Sequence, residues 1–446
     1  MIKRRHFLGS VAAAGPVLLV SACGRTHRGG EQSELAADVP DLSQIEIVDT
    51  HVHPPVPMTL SESYDKWNSS FVDAMLPGYE YEGKEALRQS LDGRFKEHLY
   101  AMPRQTGYYN YIAKAYGVAP DIQSFDKVVA AGIERGFPAY IGAILDRERI
   151  SHIVLESREA RPQRPDTHVP ADRFVWTCPI VDLIQPQWAA ANGLASAGAV
   201  VRAIDKFLET AVANGCRGFK SSVAYYRPLV VEVIDETAAD RALVKLLASR
   251  PTRFVPGRPN IADYAEPELQ SAFRNYQDYL LRHIFIKAGE LQVPVIIHTA
   301  VGLHPALRFE FNSPVELHRV FLDDDIKRVR TRFLLIHTGY PYHEYVAAML
   351  SQFPDVYTDL SFYSKFPGVL EETLRAFLAL APSDKVMHGS DSNNVPEEIG
   401  YCASNTRHVL AKVLRDYRAD YGWSRRDCEL IANNVLHENA KRLFKI

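Results

Sequence analysis

Short, almost wholly apolar runs separated by stretches of helical periodicity set the rhythm of this chain. Eight of them have strand length: Ile45–Pro54, Ser151–Glu156, Arg173–Pro179, Arg217–Lys220, Val293–His298, Arg332–His337, Val356–Leu360 and Lys385–Asp391. Strands buried on both faces read as continuous Val/Ile/Leu runs rather than as strict alternation, which is the mark of a parallel sheet. Apolar positions at helical spacing fill 126–149 and Ser196–Asn214, the second closed by Gly215. Strand followed by helix, repeated, predicts an α/β chain folded as a (β/α)8 TIM-type barrel over 45–446. One segment breaks the rhythm. Between Pro54 and Gly117 the chain carries Tyr64, Trp67, Phe71, Tyr79, Tyr81, Tyr100, Tyr108, Tyr109, Tyr111 and Tyr116 without strand alternation. It predicts a helical, aromatic-rich insertion after the first strand, serving either as extra core or as a lid over the barrel mouth.

The amino-terminal residues follow a different logic. Lys3-Arg4-Arg5-His6-Phe7-Leu8 leads into an apolar run, Val11–Val20, too short for a permanent membrane span. Residues 1–23 therefore read as an export signal. The Arg4-Arg5 pair resembles a twin-arginine signal, with Lys3 where Ser or Thr is usual. Val20-Ser21-Ala22-Cys23 resembles a lipobox, which would make Cys23 a lipidated first residue and the protein a lipid-anchored one of the bacterial periplasm or envelope. Residues 24–44 are polar and Gly-rich and read as a flexible tether. A net charge of −3 over 446 residues, with no basic stripe, argues against a nucleic-acid partner. The remaining cysteines, Cys178, Cys216, Cys402 and Cys428, form no CxxC pair, so neither a thiolate zinc site nor a disulfide framework is expected.

The chemistry gathers at the ends of the runs. His51 and His53 stand two apart at the end of the first, so both rings leave the strand on one side. Lys220, His298, His337 and Asp391 end the fourth, fifth, sixth and eighth. Packing would explain any one of these alone. In a parallel barrel, however, all the carboxyl ends open on one mouth. Imidazole and carboxylate ligands meeting there suit zinc, with manganese or iron as alternatives.

Together the motifs resemble the amidohydrolase superfamily, and most closely its amidohydrolase-related branch. The resemblance is carried by Asp49-Thr50-His51-Val52-His53-Pro54, Leu335-Ile336-His337-Thr338-Gly339-Tyr340-Pro341, His388-Gly389-Ser390-Asp391 and the terminal Asn439-Ala440-Lys441-Arg442-Leu443-Phe444. Gly218–Arg227 looks like the matching segment of amidohydrolase domains fused to glutamine-synthetase-like domains. The resemblance implies one or two divalent ions held by His51, His53, His298 and Asp391. Asp391 would double as the base that takes a proton from the attacking water. His337 would be a second-metal ligand or an electrophile. Lys220 would be a carbamylated bridge between two metals, an ammonium that binds a substrate carboxylate, or a structural ion pair. Arg227, Tyr225 and Arg308 are candidate substrate contacts, as are Tyr226, His304 and His343. The implied activity is metal-dependent hydrolysis of a C–N or C–O bond in a small, carboxylate-bearing substrate. A non-oxidative decarboxylase with the same ligand pattern is the alternative, and a non-catalytic binding lipoprotein a more remote one.

The export reading predicts that Cys23→Ser releases the protein from the membrane fraction, and that replacing Arg4 and Arg5 by lysine strands it in the cytoplasm. Full-length wild-type protein recovered soluble from the cytoplasm would contradict both.

Overall fold

The computed structural model describes residues 39–75, 85–249, 261, 264–304 and 307–446. The export signal, most of the tether, Tyr79 and Tyr81 lie outside the described residues. Eight strands form one parallel sheet in sequential order: β1 (Ile47–Val52), β2 (Ile150–Glu156), β3 (Phe174–Pro179), β4 (Cys216–Ser221), β5 (Val295–His298), β6 (Phe333–Ile336), β7 (Val356–Asp359) and β8 (Val386–Met387). The eighth is shorter than its sequence suggests. Beyond Met387 the chain bends but still pairs with β1, through Thr50 N–H to the His388 carbonyl (3.1 Å), Asp391 N–H to that of His51 (2.9 Å) and His53 N–H to that of Ser392 (2.9 Å). That seam brings the first and last strands together as a TIM-type barrel.

The barrel interior is filled by Val48, Val154, Ile296, Leu334, Ile336 and Met387, all essentially inaccessible. Its amino-terminal end is plugged by the last turns of the chain, where Ala440, Leu443 and Phe444 pack on that same cluster. Asn439 holds the plug in place: its Nδ2 donates to the carbonyls of Ser383 and Val386, each at 2.8 Å.

The insertion between β1 and β2 is helical, as expected, and comprises α1 (Leu60–Met75), α2 (Glu85–Tyr100), α3 (Arg104–Tyr116), α4 (Ile122–Glu134) and α5 (Phe137–Arg147). The periodic stretch 126–149 is thus two helices rather than one, with a bend of 119° between them. Gly136, at φ 116°, and Pro138 in the first turn of α5 cause the break, because the glycine adopts a backbone few residues can and proline lacks a donor. The aromatic side chains serve as core where they face the barrel. Tyr108 lies edge-on to Tyr401 at 4.6 Å, in a helix that follows β8, α6 (Glu397–Tyr421). Gly107 and Gly400 permit that approach, since a Cβ at either would collide with the hydroxyl of Tyr401 or Tyr111. The insertion is therefore packed firmly against the rim.

Asn439→Ala should cost about 1–3 kcal/mol, because two buried carbonyls lose their donor. A thermal midpoint lowered by several degrees would show this; an unchanged midpoint would mean the plug is held by packing alone.

Candidate metal centre

The β1–β8 seam decides where the first ligating atoms lie. His51 is the penultimate residue of β1 and nearly inaccessible, while His53 follows the strand and is partly exposed. Asp391 sits just past β8 at φ 53°, a conformation sparsely populated by non-glycine residues. Its Oδ1 is 3.4 Å from His51 Nε2 and 3.3 Å from His53 Nε2. One ligand atom from each of the three falls within 4.8 Å of the others. Asp49 braces the arrangement from below, its Oδ1 accepting from the amides of His51 (3.2 Å) and Ser390 (2.9 Å). Burial works against the Asp391 carboxylate, but His337, His51 and His53 outweigh it and hold its pKa well below the usual carboxylate range.

His298 and His337 close on the same point, their rings 4.7 Å apart and His337 5.3 Å from His51. Burial lowers all three pKa values, that of His298 to about 3, so these imidazoles are neutral and keep a lone pair. The buried Nε2 of His298 has no hydrogen-bond partner among the described residues. His337, at φ 67°, has its tautomer assigned by a relay. Asp359 Oδ1 accepts from the amides of His337 (3.0 Å) and Ser361 (3.1 Å), so the Ser361 hydroxyl, 2.5 Å away, donates to it as well. Ser361 Oγ then accepts from His337 Nδ1–H at 2.8 Å. The bare nitrogen of His337 is Nε2, which can ligate or accept a proton. The neutral ring cannot donate from that atom to an oxyanion.

Lys220 does not stand free. Its Nζ is 2.8 Å from Glu156 Oε2 and 3.3 Å from His51 Nε2. Burial would raise the Glu156 carboxyl, but Lys220, His53 and His51 override it and hold its pKa at about 2. Glu156 was visible as the last residue of the second run, yet the sequence reading counted no carboxylate there. A carbamate on Lys220 would put another negative charge against Glu156, so the geometry disfavours the bridging-carbamate reading.

The other candidates divide. Tyr225 lines the cavity, its ring 4.8 Å from that of His298, and Tyr226 and His304 line it too. Arg227 does not. It is wholly buried away from the mouth in an ion pair with Asp278 (2.5 Å) and a bond to the Val230 carbonyl (2.9 Å). Arg308 lies half-exposed outside the cavity, paired with Glu310 at 2.9 Å. His343 stacks on Tyr340 away from the site. Proximity in sequence to a strand end misled the reading of all three, because the chain turns off the rim within a few residues.

The cavity over these strand ends is about 350 Å³, a size suited to a small molecule. The insertion supplies part of its wall through Tyr64, Trp67, Phe71, Leu99 and Arg104, so those residues do act as a cover for the mouth. Phe362, Lys365 and Glu398 complete that side. The residues suit a divalent ion on their chemistry: neutral imidazoles, an ionised carboxylate and a buried imidazole nitrogen that nothing else satisfies.

Comparisons with known proteins bear on the family and the fold. A family model described as Amidohydrolase matches residues 48–446. Among curated proteins, Protein fluG of Emericella nidulans is 24% identical over 250 residues, or 51% of this chain and 25% of its own length. The match thus spans about a quarter of that relative. Among solved structures, a Lactobacillus casei protein with the working description of a metal-dependent hydrolase aligns with a TM-score of 0.67 at 16% identity, covering 91% of this chain and 96% of that one. A uronate isomerase of Thermotoga maritima aligns at 0.63 and 13% identity, covering 93% and 97%. At such identities these two likenesses establish the shared fold.

Zinc-loaded wild-type protein should retain about one equivalent after exhaustive dialysis, and His51→Ala almost none, with Lys220 unmodified by intact mass. Retention below about a tenth of an equivalent would defeat the metal reading. A second equivalent together with a mass gain on Lys220 would restore the bridging carbamate.

Proposed function

The chain belongs to the amidohydrolase family, and on that premise we propose that it is a metal-dependent hydrolase cleaving a C–N or C–O bond in a small molecule. The observation that carries this is the convergence of His51, His53, His298, His337 and Asp391 on one cavity, three of the histidines neutral and the carboxylate ionised. His51, His53, His298 and Asp391 would hold the ion, with zinc the best match to the donor set and manganese or iron compatible. When bound, it would supply Lewis acidity, polarising a carbonyl and easing the ionisation of water.

The protein's own groups do the rest. Asp391 is positioned to take a proton from water at its carboxylate and return it to the leaving nitrogen or oxygen. His337 presents Nε2, which suits a ligand or proton acceptor more than an oxyanion donor. Lys220 holds Glu156 ionised beside His51. Tyr225 keeps its phenol proton, because burial raises its pKa, and braces His298 by ring contact. The aromatic wall from the insertion excludes bulk water, which strengthens each of these electrostatic effects. We further propose that the enzyme works in the cell envelope on the Cys23 anchor.

Decarboxylation would use many of the same residues, and oxygen-18 water separates the two. The hydrolase account predicts label in the newly formed carboxylate or alcohol. Released carbon dioxide with a solvent-derived C–H bond would overturn it, and Asp391→Asn should abolish turnover in either case.

A further inference from the structure

Among the described residues, three cationic side chains other than histidine line the cavity: Lys220, Lys365 and Arg104. Two already have acid partners. Lys220 is paired with Glu156, and Lys365 Nζ sits 3.3 Å from Glu398 Oε2 and 2.8 Å from the Asp391 carbonyl. Glu398 is satisfied further by the Tyr108 hydroxyl (2.9 Å) and the Asn393 amide (3.1 Å). Arg104 is different. It opens α3 at the inner face of the insertion and is 7% exposed. Among the described residues it makes no hydrogen bond or ion pair, and its Nε is buried with no partner. Two aromatic rings flank it, the guanidinium carbon lying 5.9 Å from the Tyr108 ring and 6.0 Å from that of Phe366, and Glu398 acts on it through space without a hydrogen bond.

Glu398 commits its hydrogen-bonding capacity to Lys365, Tyr108 and Asn393, so the buried guanidinium of Arg104 is left without an acceptor, which is costly. We propose that Arg104 is the anchor for a carboxylate of the substrate, on the insertion side of the cavity and distal to the bond that is cleaved. The inference rests on the catalytic reading above, which places the reacting bond at the histidine end. A planar fork with a single positive charge matches a carboxylate bidentately and neutralises it, whereas a phosphate dianion would keep excess charge in a buried site. Tyr64, Trp67, Phe71 and Phe362 line the same cavity, so the spacer between carboxylate and scissile bond is apolar or aromatic. The substrate class is therefore a small amide or ester with a remote carboxylate. Arg104 fills the role that Arg227 and Arg308, committed elsewhere, do not.

The test uses zinc-loaded protein and a panel of aliphatic and aromatic carboxylates, each paired with its primary amide, plus inorganic phosphate. Binding is read by calorimetry and thermal shift. At least one carboxylate should bind on the order of tenfold to a hundredfold more tightly than its amide. Arg104→Met should remove that preference while zinc content stays at the wild-type level. Arg104→Lys should recover part of it. A carboxylate that merely chelates the metal would keep its preference in Arg104→Met, and that result overturns the proposal. So does a wild type that favours no carboxylate over its amide or that prefers phosphate. If Arg104→Met does not fold, the polar, uncharged Arg104→Gln carries the same comparison. A wild type that fails to hold zinc sinks the metal reading instead, so the two failures are told apart.

Discussion

Everything at the mouth of this barrel depends on the pairing of its first strand with the chain beyond its last. His51 and His53 come from one end of the sequence and Asp391 from the other, and backbone hydrogen bonds bring them together. Asp391 N–H donates to the His51 carbonyl itself, so the ligand-bearing residues are tied through their main chains before their side chains meet. Asp49 adds a second tie, bonding the amides of His51 and Ser390 with one carboxylate oxygen. A shift of one residue in that seam would turn the histidines to the opposite face and empty the site. The plug formed by Asn439, Leu443 and Phe444 under Val386 and Met387 protects the same seam from the other end.

Around that seam the protein concentrates features that would be liabilities elsewhere. His337, Thr338, Phe362, Asp391 and Asn394 all adopt positive φ, and all lie on loops at the carboxyl ends of strands. Such conformations cost of order 1–3 kcal/mol each and persist where the surroundings over-determine them. Buried polar groups are treated with matching economy. Asp359, Ser361 and His337 form a closed relay, and Lys220 and Glu156 neutralise each other. Among the buried atoms without a hydrogen-bond partner in the described residues, His298 Nε2 and Arg104 Nε belong to side chains that line the cavity.

Much of this was legible from residue order. Buried parallel strands are short and apolar, so all eight could be located, and their carboxyl ends could be read off as His51, His298 and His337. Asp391 was found for the same reason, although the strand proper stops at Met387 and the residue stands on the bend beyond it. The break at Gly136 was written in Gly136-Phe137-Pro138 and overlooked because apolar periodicity runs across it. Arg227 and Arg308 were misread because loops carry their residues away from the rim, and no local pattern reports the direction. Glu156 ended a run as plainly as His298 did. Arg104 could not have been found, since its place in the cavity depends on how the insertion folds back over the mouth, with Gly107 and Gly400 allowing the approach.

If imidazoles and a carboxylate from opposite ends of the chain hold one divalent ion, X-ray absorption at the zinc edge will register them directly. The account predicts a nitrogen and oxygen shell at about 2.0–2.1 Å with the outer-shell scattering of several imidazoles. A sulfur shell near about 2.3 Å, or oxygen neighbours without imidazole scattering, would place the metal elsewhere and contradict the account.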